Sequence, residues 1–196
     1  MKKSKLIMIV GAFLLLALFV FPLWNITLEA PQYPIGIGMD IWINKITDHN
    51  PNDIQNINLM NHYVGMDNIP EHMSEFDVFP IVVGLMSVLG MALGFIGKRK
   101  LYLAWFILMA ILGSAGMYDF YSWEYEYGHN LKSTAAIKFS DADGNPLAYQ
   151  PPLIGNKTIL NFKAKSWPTT GAYLLFTGMM LSIIAFVVDK KEEANS

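Results

Sequence analysis

The chain contains no cysteine, and only 15% of its 196 residues are charged. Soluble domains carry about 25% charged residues. Without thiols there is no disulfide framework and no cysteine-ligated zinc or iron–sulfur centre. A net charge of −2 leaves no basic footprint for nucleic acid. Catalytic signatures are missing as well: no Gly-x-Ser-x-Gly, no His-Glu-x-x-His, no P-loop and no dinucleotide fingerprint. There is no internal repeat and no low-complexity stretch. What the chain has in excess is apolar residues, at 53%, with a mean hydropathy of +0.32. That excludes a disordered chain and points to an integral membrane protein.

Four apolar runs stand out: Leu6 to Trp24, Val78 to Gly97, Leu101 to Tyr118 and Ala172 to Val188. Each is long enough, at roughly 1.5 Å per residue, to cross a hydrocarbon core of about 30 Å. Lipid offers no partner to backbone polar groups, so each run is expected to be helical. None holds a histidine pair for haem or a charge deep inside, which argues against a haem protein and an ion transporter.

Lysine and arginine set the expected orientation. Lys2, Lys3 and Lys5 precede the first run, Lys98, Arg99 and Lys100 form the turn between the second and third, and Lys190 and Lys191 follow the fourth. With four spans these all fall on the cytoplasmic side. The segment between the first two runs carries Lys45 against eight acids and belongs outside. The expected partition is a tail with the first span (1–24), an outer loop (25–77), the second span (78–97), a cytoplasmic turn (98–100), the third span (101–118), a second outer loop (119–170), the fourth span (171–189) and a cytoplasmic tail (190–196). The expected localisation is thus the inner membrane, with both termini cytoplasmic and two periplasmic loops. A cleaved signal peptide is the rival reading of the first run, but the run is long and no small-x-small site follows it. Trp24, Phe79, Tyr121, Trp123, Trp167 and Tyr173 fall at outer boundaries, as an aromatic belt would. Gly90 and Gly94, with Ala110, Gly113, Ser114 and Gly116, are read as close packing within the bundle.

Both outer loops are too long to be mere connections. Ile35, Ile37, Met39, Ile41 and Ile43 alternate as in a strand. Asp48 to Asp53 is a turn, Asp53 caps a short helix from Ile54, and Gly65 ends it; Pro70 opens another short element. In the second loop, Ala135 to Phe139 and Thr158 to Lys163 are expected strands, Asp143-Gly144-Asn145-Pro146 a turn, and Gln150 to Gly155 extended. The expected fold class is therefore an α-helical membrane protein. It has four transmembrane helices and a small α+β extracytoplasmic cap built from two long loops.

The chemistry-bearing residues lie in those loops. His62 and Met66 stand four residues apart and meet if 54–65 is helical; Glu71, His72 and Met73 follow within one turn. Imidazole and thioether form a soft, neutral ligand set that suits Cu(I), with zinc as second choice. Against this, methionine is a common gap filler, Met60 is expected to pack against the cap, and a surface histidine usually does nothing special. A second cluster holds Asp119, Glu124, Glu126 and His129. It reads as a solvated boundary with aromatic anchors, or as a carboxylate–histidine site that binds metal or orients a ligand.

Three stretches also carry a family resemblance. Asn61-His62-Tyr63-Val64-Gly65-Met66, then Asp119-Phe120-Tyr121-x-Trp123-Glu124-Tyr125-x-Tyr127-Gly128-His129-Asn130-Leu131, then Tyr149 to Gly155 with Lys157 and Leu160-Asn161-Phe162 resemble the small membrane proteins encoded beside nitrous-oxide reductase in clade II gene clusters, notably of Bacteroidetes-type bacteria. The resemblance implies a role in assembling or supporting a copper enzyme outside the inner membrane. It covers His62, Met66, Asp119, Glu124 and His129; His72 and Met73 lie outside the matching stretches. The expectation is an accessory protein that binds or hands over copper. The alternative is a non-catalytic docking subunit for a copper-loading transporter or an electron-transfer complex. A membrane enzyme is the least supported.

Overall fold

The computed structural model describes residues 2–140, 144 and 147–194. Among these, five α-helices and one five-stranded antiparallel sheet make up the chain. Helix α1 (Lys3–Phe13) runs straight into a 3-10 segment, Leu14–Phe19. Strands β1 (Trp24–Ala30), β2 (Tyr33–Ile41) and β3 (Ile46–Asp48) precede helix α2 (Asp53–Val64). Two long helices follow, α3 (Glu75–Ile96) and α4 (Arg99–His129). A hairpin, β4 (Gly155–Ile159) and β5 (Phe162–Pro168), leads into helix α5 (Thr170–Ala194).

Three helices, α3, α4 and α5, are long and apolar enough to cross a membrane. Their outer faces are apolar as well: Ile81, Leu85, Val88, Ile111 and Phe176 are all exposed. A helix apolar on every side needs an apolar surrounding. The first run departs from the expected single long helix. Its α-helix stops at Phe13, the chain tightens into 3-10 turns, and Trp24 is drawn into strand β1. Even so, this rod is the buried centre of the bundle, with Met8, Ala12, Leu15 and Leu18 essentially inaccessible.

Small residues permit that burial. A Cβ on Gly178 of α5 would stand 2.5 Å from the Gly11 carbonyl oxygen, and one on Gly90 of α3 would stand 2.6 Å from Ala12 Cβ. The Gly90–Gly94 pair therefore packs inside the chain, as expected. Gly113 and Gly116 do not: a Cβ at either meets nothing within 4 Å, so that face of α4 is open. At one end of the bundle the basic segments gather. Lys2 and Ser4 contact the Asp189 carboxylate, Lys5 Nζ donates to Phe95 O at 2.8 Å, and Arg99 lies 3.9 Å from Glu193.

The sheet has strand order β3-β2-β1-β5-β4, so both segments between the apolar runs contribute to it. Central β1 pairs Ile26 with Met39 on β2 and with Ser166 on β5. Ile26, Ile37 and Met39 turn inward against Ile57 of α2 and against Phe120, Trp123 and Tyr127 of α4. Trp24 and Trp123 belong to this core and not to an interfacial belt; the Trp24 indole donates to Ser166 Oγ at 2.7 Å.

Several local expectations change. Helix α2 is capped by Asp48, whose carboxylate accepts from Ile54 N at 2.6 Å. Asp53 is buried and accepts from Gly38 N and Asn50 N. The helix ends at Gly65, which adopts φ +84°, a conformation that suits glycine. No regular element starts at Pro70, and Ala135 to Phe139 forms bends, not a strand. The expected strand Thr158 to Lys163 spans a hairpin turn instead, with Leu160 at φ 56° between β4 and β5. The expected turn at Asp143-Gly144-Asn145-Pro146 lies outside the described residues, apart from Gly144. The largest difference is at α4, which stays helical through 119–129, eleven residues past the apolar run. Nothing in that aromatic stretch breaks a helix. At about 1.5 Å per residue, its 31 residues reach about 46 Å, well beyond a hydrocarbon core of about 30 Å.

Candidate functional site

The projecting end of α4 meets the sheet and α2 around an inner cavity of about 120 Å³. Met117, Phe120, Glu124 and Tyr127 recur at helical spacing and face the sheet core, and Glu124 is the one acid in that stripe. Ile26, Leu28 and Met39 line the cavity from the strands, Ile57, Met60 and Asn61 from α2, and Leu160 and Phe162 from the hairpin. Gly128 brings the last wall close. A Cβ there would stand 2.5 Å from Gln150, and its carbonyl accepts from Tyr149 N at 2.9 Å, which seats Tyr149 and Pro151 against the helix.

Glu124 is 1% exposed, and neither carboxyl oxygen has a hydrogen-bond partner among the described residues. Burial alone pushes its pKa up to about 8, because an apolar setting penalises the charged form. At neutral pH it is mostly a neutral acid. Its polar neighbours are engaged elsewhere. The Tyr127 hydroxyl donates to Asp67 O and accepts from Asn61 Nδ2. Burial, reinforced by the Asp67 charge and opposed by the Asn61 bond, raises the Tyr127 phenol further. Burial also raises Tyr149, against a weaker lowering by its bond to the Phe139 backbone.

An outer cavity of about 490 Å³ opens beside it, lined by His62, Met66, Asp67, Asn68 and Lys132 among others. Lys132 N donates to Gly65 O, and Ile137 N to Tyr63 O, so the second loop closes over the end of α2. The helix ends before Met66, which removes the expected i,i+4 helical pairing with His62. Met66 N instead reaches back to Asn61 O at 2.9 Å. His62 and Met66 still share the outer cavity, and Met66 also lines the inner one. The Asp67 carboxylate is ion-paired with Lys132.

The remaining candidate ligands stand apart from this pair. His72 Nε2 lies 3.1 Å from Asp77 Oδ2, both well exposed, and Met73 precedes α3 with its carbonyl accepting from Phe76 N. The His129 Nδ1–H donates to Tyr125 O at 2.8 Å, and its ring stacks on Tyr125 at 4.0 Å. It lines an open groove of about 650 Å³ with Tyr118, Tyr121 and Tyr125. Asp119 sits nearer Glu75; burial first, then that charge, raises its pKa. Among the described residues no three His, Asp or Glu side chains gather around one point.

Sequence reasoning singled out Glu124 but not its setting. Met39 and Met60 did not stand out as cavity residues, and Tyr149, Leu160 and Phe162 carried no such signal. The readable clue was the apolar stripe 117, 120, 124 and 127, with a single acid inside it. Compared with known proteins, the chain matches no family model, no curated protein and no solved structure.

Proposed function

We propose that the chain is a multi-pass inner-membrane accessory protein whose sheet, α2 and projecting α4 end form an extracytoplasmic cap that binds or hands over copper during maturation of a copper enzyme. The resemblance to proteins encoded beside nitrous-oxide reductase motivates the choice of enzyme. In this reading α1 and its 3-10 extension are the first of four spans. Its 11 and 6 residues reach about 28 Å at roughly 1.5 and 2.0 Å per residue. The gathering of Lys2, Lys5 and Arg99 at one end of the bundle supports a common cytoplasmic side.

The observation that carries the copper reading is Met66. It lines the outer cavity with His62 and the inner one with Met39 and Met60. Imidazole and thioether favour Cu(I) over zinc, and an incomplete ligand set suits transfer. His72, Met73, Asp119, Glu124 and His129 do not line the His62 cavity and are left out of this ligand pair. Cu(I) competition against a chelator on the purified protein tests the reading. A His62→Ala, Met66→Ala double variant should lose at least tenfold in affinity; an unchanged affinity removes the proposal.

One observation favours a second reading, a docking subunit without its own metal. Tyr118, Tyr121, Tyr125 and His129 form an exposed ladder along one face of α4, and aromatic residues are enriched at binding hot spots. Stable co-purification with a membrane partner, lost in a Tyr121→Ala, Tyr125→Ala variant and without bound copper, would select it.

A further inference from the structure

The inner cavity has a chemistry besides the copper reading, with which it shares Met66. Its wall is apolar and aromatic, with Trp123, Tyr127, Tyr149 and Phe162 among the lining residues, and Glu124 is the only carboxyl or basic side chain on it among the described residues. Both oxygens of that side chain are buried and unpartnered. A buried carboxyl without a partner is costly, and here it belongs to a residue on the wall of a space large enough to be filled. We propose that this cavity binds a small organic amine, a primary ammonium on an apolar body about the size of one ring, with Glu124 as its counter-ion.

Size, charge and wall each select part of that ligand. An apolar cavity of roughly 150 Å³ accepts benzene, so about 120 Å³ takes a similarly small body. A hard metal ion would leave most of the space unfilled and would find only one carboxylate, since the Met39, Met60 and Met66 thioethers on the wall suit a soft ion alone. Aromatic faces favour an organic cation. A phosphate-bearing headgroup would bring a second charge with nothing to balance it.

Binding is proton-linked. An alkylamine, with a pKa of about 10, arrives as the ammonium. The Glu124 O–H bond breaks, its proton leaves to solvent, and the carboxylate accepts hydrogen bonds from the ammonium, which keeps its own three protons. Below the raised pKa of Glu124, about 8, affinity climbs about tenfold per pH unit, then levels off. Tyr127 and Tyr149 are the other titratable groups on the wall; both phenols are raised and stay neutral throughout this range.

Calorimetric titration of the full chain in phosphatidylcholine nanodiscs tests this with benzylamine as probe and toluene as its neutral isostere. Benzylamine should bind at least tenfold more tightly than toluene at pH 8, releasing close to one proton per site at pH 6.5, as read from two buffers of different ionisation heat. Glu124→Gln should erase the benzylamine preference and leave toluene binding unchanged. Equal binding of the two probes by the wild-type chain overturns the proposal without recourse to a variant. So does benzylamine binding without proton release, or no binding of either probe. Competition by phosphatidylethanolamine in the same discs would reassign the site to a lipid headgroup. Met66 lines this cavity as well as the outer one, whereas His62 lines only the outer one, so loss of Cu(I) binding in a His62→Ala single variant and loss of benzylamine binding in Glu124→Gln are separable results.

Discussion

Within the helix bundle most buried polar side chains have partners among the described residues, the Tyr102 hydroxyl being an exception. Ser87 donates to the Ala12 carbonyl, Ser4 to Asp189, Ser182 to the Met179 carbonyl, and the Trp105 indole to Met86 O. Within the sheet core Trp24 and Asn61 are matched in the same way, but Glu124 is not. The bundle is also closed by glycine-to-backbone contact, whereas the sheet core keeps a cavity. One region reads as packing brought close to its limit and the other as packing that leaves room. A region that holds both space and an unpaired acid is where a ligand fits.

The largest expected effect breaks the bundle side of this contrast. Gly178→Val would push a side chain into the Gly11 carbonyl. Overpacking against backbone costs about 1–3 kcal/mol and sometimes more, so the variant should lose its monodisperse species in detergent. Gly116→Val meets open space and should change thermal stability by less than about 0.5 kcal/mol. Equal behaviour of the two would remove the distinction between closed and open faces.

Glu124→Gln acts on the sheet side. Between the ordinary carboxyl value of 4.5 and about 8, the folded chain keeps a proton that the unfolded chain has lost. Stability contributed by the neutral acid is complete below 4.5, declines as the pH rises, and levels off above about 8. The linkage over that range is on the order of 4 kcal/mol. Unfolding midpoints measured from pH 5 to 8 should therefore fall in the wild-type chain and flatten in the variant. A parallel fall in both would place the titration elsewhere.

Smaller effects sharpen the account of how the sheet holds α2. Asp53→Ala removes an acceptor from the Gly38 and Asn50 amides and should cost about 1–3 kcal/mol. Asp48→Ala removes the cap on Ile54 N and should cost about 1 kcal/mol. His72→Ala removes an exposed contact with Asp77 and should cost less than about 1 kcal/mol in the same melts.

How much of this was readable follows from the range of each interaction. Apolar runs are local, so three long helices were plain from composition alone. The first run misled because hydropathy does not register that Trp24 is captured by β2 and β5, strands contributed by both intervening segments. The alternation from Ile35 to Ile43 predicted β2, and Gly65 marked the end of α2, since both signals are carried by adjacent residues. The Ala135 to Phe139 stretch had strand-forming residues but joins no strand of the sheet among the described residues. Among the candidate ligands, His62 and Met66 were legible as neighbours because they are close in sequence, although the helix expected to pair them ends at Val64 and only the shared outer cavity joins them. His72 and His129 were grouped with them only by residue type, and type carries no distance.

By itself the sequence determined that the chain is rich in membrane-compatible apolar runs, that its acidic, basic and histidine residues lie outside those runs, and that thiol chemistry is absent. Those properties are sums over local composition. Tertiary structure alone decided that α4 projects past its apolar stretch, that strands from two distant segments form one sheet, and that Glu124 is sealed between them without a partner. Burial and solvation depend on which distant surfaces meet, and a carboxyl group changes its protonation only when they do.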